Sequence, residues 1–245
     1  MEITSTDNKL IKHIASLHKK KYRDEYNEYI IEGIKSVKEA LQNNVEITHI
    51  IACNFNESLN TDLEIITVPN HIMEKISEAK TPQGLLAVAK ITKAELPTNS
   101  KRILILDNLQ DPGNLGTIIR TADAMNFDIV ILSKKCADPY SLKVTRSTVG
   151  SIFHTPLIYD VETSPALQEL KSNSYTIYSS TPYNAISIDE ITPEKNFVLV
   201  IGNEGNGISD ETKQNTDYFV KIDMPGLAES LNASIAAGIL MYKFK

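Results

Sequence analysis

Three polar segments of this 245-residue sequence hold the residue types and spacings that suit chemistry on a bound ligand. The first is Asp107-Asn108-Leu109-Gln110-Asp111-Pro112-Gly113-Asn114, continuing through Arg120 to Ala122. Its Asp-Pro-Gly turn lets the backbone approach a ligand closely. Asn114 and Arg120 are six residues apart. On a helix starting near Asn114 that is under two turns, so both can face one crevice. A capped helix with a solvated arginine accounts for the same residues. The second is Ile201-Gly202-Asn203-Glu204-Gly205-Asn206-Gly207, where three glycines surround one carboxylate. So many glycines cost chain entropy, and close backbone approach to a ligand is one reason to keep them. An elaborate turn is the plainer alternative. The third runs from Ile222 through Met224-Pro225-Gly226 to Ser230-Leu231-Asn232 and on to Gly238. Ser230 and Asn232 stand where a last helix begins, and a helix start offers free N–H groups. A serine N-cap followed by a tightly packed Ala/Gly run explains that segment equally well.

The elements around these segments alternate between strand and helix. In the second part of the chain, strands are expected at Ile103–Leu106, Ile129–Leu132, Tyr175–Ser179 and Phe197–Ile201. Helices are expected at Gly116–Met125, Leu142–Ile152, Pro165–Leu170, Ser209–Asn215 and Ser230–Tyr242. Short apolar strands between helices imply an α/β fold with a mostly parallel sheet covered on both faces. In such sheets ligands bind beyond the carboxyl ends of the strands, where the first two segments lie. The last helix carries Leu231, Ile235, Ile239 and Tyr242 on one stripe, suited either to core burial or to packing on a second chain.

The first part reads as a small α/β domain. A helix is expected over Tyr29–Leu41 from Ile30, Ile34, Val37 and Leu41, then strands at Thr48–Ala52 and Glu64–Val68. A short helix at His71–Ser77 and a strand at Leu85–Ile91 complete it. Residues 92–101 are polar, contain Pro97 and precede an abrupt apolar run, which places a domain boundary there. The two domains expected are therefore 1–92 and 101–245.

Composition bounds the function. The net charge is −6, which argues against nucleic acid as a partner in bulk. Locally, Lys9, Lys12, Lys19, Lys20, Lys21 and Arg23 crowd one stretch, with Asp24 and Glu25 following. That stretch is either a solvated helix face or a phosphate-facing patch, with Lys19, Lys20, Lys21 and Arg23 as the RNA contacts. No apolar run of 18 residues is present, so no membrane span is expected. Cys53 and Cys136 lack metal-ligand spacing, so no metal is expected. Two lone thiols and no signal-peptide pattern point to the cytoplasm.

Taken together, Asn-x5-Arg, then Gly-x-Glu-Gly-x-Gly, then Met-Pro-Gly-x3-Ser-Leu-Asn-x-Ser-x-Ala-x-Gly closely resemble the three motifs of the SpoU (SPOUT) RNA methyltransferases, over roughly residues 103–243. Tyr29-Ile30-Ile31-Glu32-Gly33 and Thr81-Pro82-Gln83-Gly84-Leu85-Leu86-Ala87 resemble the RNA-substrate-binding domain often fused in front. The resemblance implies a C-terminal α/β domain with a trefoil knot, and S-adenosylmethionine as cofactor. It implies methylation of a ribose 2′-hydroxyl, in ribosomal RNA first and transfer RNA second, and assembly as a homodimer. It places Thr181, Gly202, Ile222, Met224 and Leu231 on the cofactor, and Asn114, Arg120, Glu204, Ser230 and Asn232 in the polar active-site set. Asp223 departs from the family pattern, which usually has a hydrophobic residue there. The resemblance makes Arg120 the proton acceptor or its close partner; because a guanidinium is a poor base, the preferred reading is that Arg120 clamps an RNA phosphate, while Asn114 orients Arg120 or the ribose and Glu204 holds basic groups in place.

Two other readings compete. A dinucleotide oxidoreductase fails, because residues 113–116 give only Gly-x-x-Gly and the second strand runs into Ser133-Lys134-Lys135 rather than an acidic residue. A non-catalytic RNA-binding protein on the same fold is the stronger rival, since fold does not fix function. The presence of all five polar motif residues favours catalysis.

Overall fold

The structure, a computed structural model, describes residues 1–96 and 99–245. The chain divides into two compact units, one of Met1–Thr92 with Tyr140–His154 and one of Lys93–Pro139 with Thr155–Lys245. The sequence boundary at 92–101 lies partly outside the described residues. The segment Tyr140–His154, expected in the second domain, belongs to the first unit.

The first unit begins with α1 (Lys9–Ser16), α2 (Lys20–Tyr26), β1 (Glu28–Glu32), α3 (Ile34–Gln42), β2 (Ile47–Ala52), β3 (Ile65–Thr67), α4 (Asn70–Ile76) and β4 (Leu85–Lys90). The chain continues into the second unit as β5 (Arg102–Leu106), α5 (Pro112–Ala124) and β6 (Ile129–Ser133). It adds α6 (Leu142–Thr148) and a turn of 3₁₀ helix at Ser151–Phe153 to the first unit. The second unit then takes β7 (Leu157–Val161), α7 (Thr163–Ser172), β8 (Thr176–Ser180), β9 (Ile186–Ser187) and β10 (Phe197–Ile201). It ends with α8 (Asp210–Asn215), β11 (Tyr218–Lys221) and α9 (Ala233–Lys243).

The first unit is a four-stranded sheet in the order β1-β4-β2-β3, with β4 antiparallel to both neighbours and β3 parallel to β2. Its core gathers Ile11, Ile14, Leu17, Ile30, Ile51 and Ile72. The helix expected over Tyr29–Leu41 is instead a strand and a helix. Tyr-Ile-Ile suits a strand, and every residue of β1 is buried. Gly33 ends the strand at φ +103°, and its N–H donates to the Leu85 carbonyl at 3.0 Å. A β-carbon is disfavoured at that φ, so α3 can begin only beyond the glycine.

Arg23 also departs from expectation. It is buried, 5% exposed, and its Nη1 donates to the carbonyls of Leu17 at 2.6 Å and His18 at 2.9 Å. These carbonyls end α1, so Arg23 closes the turn between α1 and α2 rather than facing a phosphate. Lys19, Lys20 and Lys21 are exposed.

The second unit is a seven-stranded sheet in the order β7-β6-β5-β10-β8-β11-β9, every adjacent pair parallel. Its central strands read Ile103-Leu104-Ile105-Leu106 and Phe197-Val198-Leu199-Val200-Ile201, and all are buried. Continuous apolar runs are what a strand covered on both faces requires. From β5 the chain builds outward to β6 and β7, then crosses to the other side of β10 for β8 and β9. The strand order therefore reverses across the β5–β10 pair, and the carboxyl ends of those two strands flank the switch point where α/β sheets bind ligands.

The starts of α5 and α9 differ from the sequence reading by three residues or more. α5 starts at Pro112, four residues early, because Asp111 is its N-cap and accepts the Asn114 N–H at 2.8 Å. α9 starts at Ala233, because Asn232 rather than Ser230 is the cap. The helix expected to Ile152 stops at Thr148, where Val149 takes φ +53°. β7, β9 and β11 were not expected. The half-exposed β7 and the short β11 lack the unbroken apolar run that marks β5 and β10.

Candidate active site

The site is built where β5 and β10 end. After β10, Asn203 and Gly207 pair across a tight loop, exchanging backbone hydrogen bonds of 2.8 and 3.0 Å. The Asn203 side chain fixes that loop inside and out. Its Oδ1 accepts from the N–H groups of Gly205 and Asn206, both at 3.0 Å, and its Nδ2 donates to the Asn108 carbonyl at 2.8 Å. A β-carbon on Gly202 would lie 2.3 Å from the Gly207 carbonyl carbon, so only glycine lets the loop fold back on the strand end.

This loop presents Glu204 to the start of α5. The carboxylate accepts from the backbone N–H of Asp111 at 3.2 Å and of Gln110 at 3.4 Å, and from Asn114 Nδ2 at 3.1 Å. Asn114 Oδ1 in turn accepts from Asn232 Nδ2 at 3.0 Å. Asn232 Oδ1 then caps α9, accepting from Ser234 N at 2.9 Å, Ile235 N at 3.3 Å and Ser234 Oγ at 2.6 Å. One chain of polar groups therefore joins the glycine loop, the first turn of α5 and the first turn of α9. Glu204 holds amides here, not the basic groups expected of it.

Burial works to raise the Glu204 pKa. The donors from Asn114 and from the backbone of Glu204, Asp111 and Gln110 outweigh it and hold the group below its ordinary value. Asp107, at the end of β5, was passed over in the sequence. It is 1% exposed and accepts from Ser209 N and Thr212 Oγ1, both at 2.7 Å, which anchors the start of α8. The signal for it was position alone, an acid closing an apolar strand.

Beside the polar chain lies a cleft of about 490 Å³. Thr181, Gly202, Ile222, Met224 and Leu231 all line it, and so do Glu204 and Ser230. Its size falls in the range of small-molecule sites, and its wall joins apolar side chains to the open backbone of the glycine loop. That combination fits S-adenosylmethionine, whose adenine and methionine parts need apolar cover and backbone hydrogen bonds. Asp223 is outside the lining. It pairs with Lys221 at 3.0 Å, and a hydrogen bond from Ser187 together with that lysine lowers its pKa. Arg120 lies farther along α5, exposed, with no hydrogen bond or ion pair among the described residues. Among the described residues no three His, Cys, Asp or Glu side chains are grouped to hold a metal, and no helix is long and apolar enough to cross a membrane.

The direction of the Glu204 shift fixes a pH dependence. A depressed carboxyl pKa stabilises the fold fully above the ordinary value of 4.5, and the contribution is lost as pH falls through the lower folded value. The side-chain amide resonances of Asn114 and Asn232 should hold steady down to pH 4.5 and move together below it. Movement that begins well above that pH would show that Glu204 does not organise the two amides.

Comparison with known proteins agrees with this geometry. The profile of the SpoU rRNA Methylase family matches residues 101–242, and that of the MRM3-like substrate binding domain matches residues 8–87. The chain is 34% identical to the Bacillus subtilis (strain 168) 23S rRNA (guanosine(2553)-2′-O)-methyltransferase RlmP, covering 100% of this chain and 99% of that one. It is similar to the AdoMet-bound rRNA methyltransferase of Sinorhizobium meliloti, at 28% identity and a TM-score of 0.88, over 99% of this chain and 96% of that one. The fold alone is shared with the SpoU methyltransferase AviRb of Streptomyces viridochromogenes, at 23% identity and a TM-score of 0.88, over 96% of each chain. With its three motifs, its parallel sheet and its cleft, the chain belongs to the SpoU family of S-adenosylmethionine-dependent RNA 2′-O-methyltransferases.

Proposed function

We propose that this RNA 2′-O-methyltransferase acts on ribosomal RNA in the cytoplasm as a homodimer. Its first unit grips the RNA, and its second holds the cofactor and the target ribose. The observation that carries this reading is the Glu204–Asn114–Asn232 chain beside the cleft, with Arg120, which has no partner among the described residues, on the same helix as Asn114. Thr181, Gly202, Ile222, Met224 and Leu231 hold the cofactor, largely by backbone groups, in the knotted arrangement that the family resemblance implies. When bound, the cofactor supplies an activated methyl group on a sulfonium.

The chain's own task is to align the ribose hydroxyl and stabilise its oxygen while the proton passes to solvent water. Asn114 Nδ2 carries two hydrogens, and only one goes to Glu204, so the other can donate to the ribose. Arg120 contributes a guanidinium, a charged group with five N–H donors in a fixed fork. Its planar fork binds an RNA phosphate in bidentate fashion, and its charge stabilises the developing alkoxide. Ser230 lines the cleft before α9 and shapes the pocket there. Lys19, Lys20 and Lys21 supply phosphate contacts in the first unit.

The homodimer rests on α9. Ile235, Ile239 and Tyr242 are 56%, 39% and 61% exposed, so this part of the stripe seen in the sequence is not core, while Leu231 precedes the helix and lines the cleft. An apolar row left open on a monomer marks an interaction surface. Light scattering at micromolar concentration should give the mass of two chains, and the mass of one chain would refute the proposal.

Arg120 gives the sharpest test. Arg120→Ala should slow single-turnover methyl transfer by at least about a hundredfold. It should leave S-adenosylhomocysteine affinity, read by calorimetry, nearly unchanged. Arg120→Lys keeps the charge and loses the fork, so it should be nearly as slow at every pH. A lysine variant whose rate recovers as pH rises would make Arg120 a proton acceptor and overturn the clamp.

A further inference from the structure

Two tyrosines on the basic helix of the first unit have no role in the account so far. Tyr22 and Tyr26 stand one turn apart on α2, and their rings lie nearly parallel, 10° between planes and 6.1 Å between centroids. The His13 ring meets Tyr26 edge-on at 4.6 Å, and His13 Nε2 is held by the buried Glu28 at 2.6 Å. Tyr26 is therefore fixed from behind while 38% of it remains exposed. Lys19 is the exposed residue directly before α2, the helix that carries both rings. The Lys21 Nζ sits 5.5 Å from the centre of the Tyr22 ring. Lys20 is offset by Asp24 at 3.3 Å, but Lys19 and Lys21 have no acidic partner among the described residues.

We propose that Tyr22 and Tyr26 form a stacking platform for an unpaired RNA base, with Lys19 and Lys21 neutralising phosphates of the strand that runs on from it past the start of α2. The inference rests on reading the first unit as the RNA grip. Every base has a π-face, so aromatic rings beside cations bind single strands with little regard to sequence, whereas a paired base in a duplex cannot reach such rings. The ring-to-ring spacing is too close to admit a base between the tyrosines, so the base stacks on the part of Tyr26 that stays exposed. The support from His13 and Glu28 means that the ring is already in place before the RNA arrives, which lowers the entropy lost on binding. The platform thus selects a loop, bulge or strand end over a continuous helix.

The test uses the whole protein and two probes, a fluorescein-labelled oligoadenylate and a labelled RNA duplex of equal length, read by anisotropy at low salt. The wild type should prefer the single strand. Tyr26→Ala should weaken single-strand binding by about tenfold without changing its salt slope, while Tyr26→Phe, which keeps the ring, should stay within about twofold. Lys19→Ala with Lys21→Ala should flatten the salt slope by about two units for both probes. Equal binding of the two probes by the wild type, or equal loss in the Phe and Ala variants, overturns the platform. If the lysine changes act as described but Tyr26→Ala does nothing, the platform fails and the RNA grip stands. If neither probe binds the wild type, both fail. A second measurement needs no variant: an oligonucleotide carrying 4-thiouridine should crosslink under near-ultraviolet light to the Tyr22–Tyr26 peptide. Crosslinks found only elsewhere on the chain contradict the proposal.

Discussion

The second unit depends on one exposed carboxylate. Glu204 takes hydrogen bonds from two backbone N–H groups before α5 and from Asn114 within it, and so locks a glycine loop to a helix start. Asn114 passes that constraint to Asn232, the cap of α9. Three segments far apart in the chain are thereby set against each other by a few hydrogen bonds. Hydrogen bonds to a charged acceptor are the stronger kind, and the partial positive charge at a helix start favours a carboxylate there. Helix starts are otherwise places where donors go unmet, so the carboxylate meets a need that the fold creates.

The sheet explains why the carboxylate sits there. A parallel sheet whose strand order reverses leaves an opening beyond the carboxyl ends of the strands on either side of the reversal. β5 and β10 are those strands. Asp107 closes one, and Gly202 closes the other by leaving room for Gly207. The loop is rigid because Asn203 bonds to it twice from within and to Asn108 from outside. The adjoining cleft is therefore shaped before any ligand enters, and pre-shaping reduces the entropy that binding must overcome.

Much of this was legible in the sequence, for physical reasons. β5 and β10 are unbroken apolar runs, and only a strand covered on both faces keeps such a run. Glycines clustered around Glu204 suggested close approach to a ligand, whereas the close approach that Gly202 makes is to Gly207, as the plainer reading of a tight turn requires. Other features were hidden. Ile34, Val37 and Leu41 do share the helix α3, but Ile30 joins their spacing by coincidence, and the break between β1 and α3 depends on a positive φ at Gly33. Arg23 looked like its lysine neighbours because sequence shows charge but not direction, and this arginine points inward to the end of α1. Ser230 and Asn232 are both good caps, so only the coordinates show that Asn232 takes the position and thereby reaches Asn114. The link from Glu204 to Asn114 spans ninety residues, which no local pattern reveals.

The central claim, that Glu204 and Asn114 act as one unit in shaping the cleft, is tested most directly by a double-mutant cycle on cofactor affinity. Calorimetry with S-adenosylhomocysteine would be run on the wild type, Glu204→Gln, Asn114→Ala and the double variant. Coupled neighbours in one hydrogen-bond network show interaction energies of about 0.5–3 kcal/mol. Each single change should weaken binding, and the double variant should bind about as well as the weaker single one. Losses that simply add would mean that the two residues act separately, and the account of the site built on their contact would be wrong.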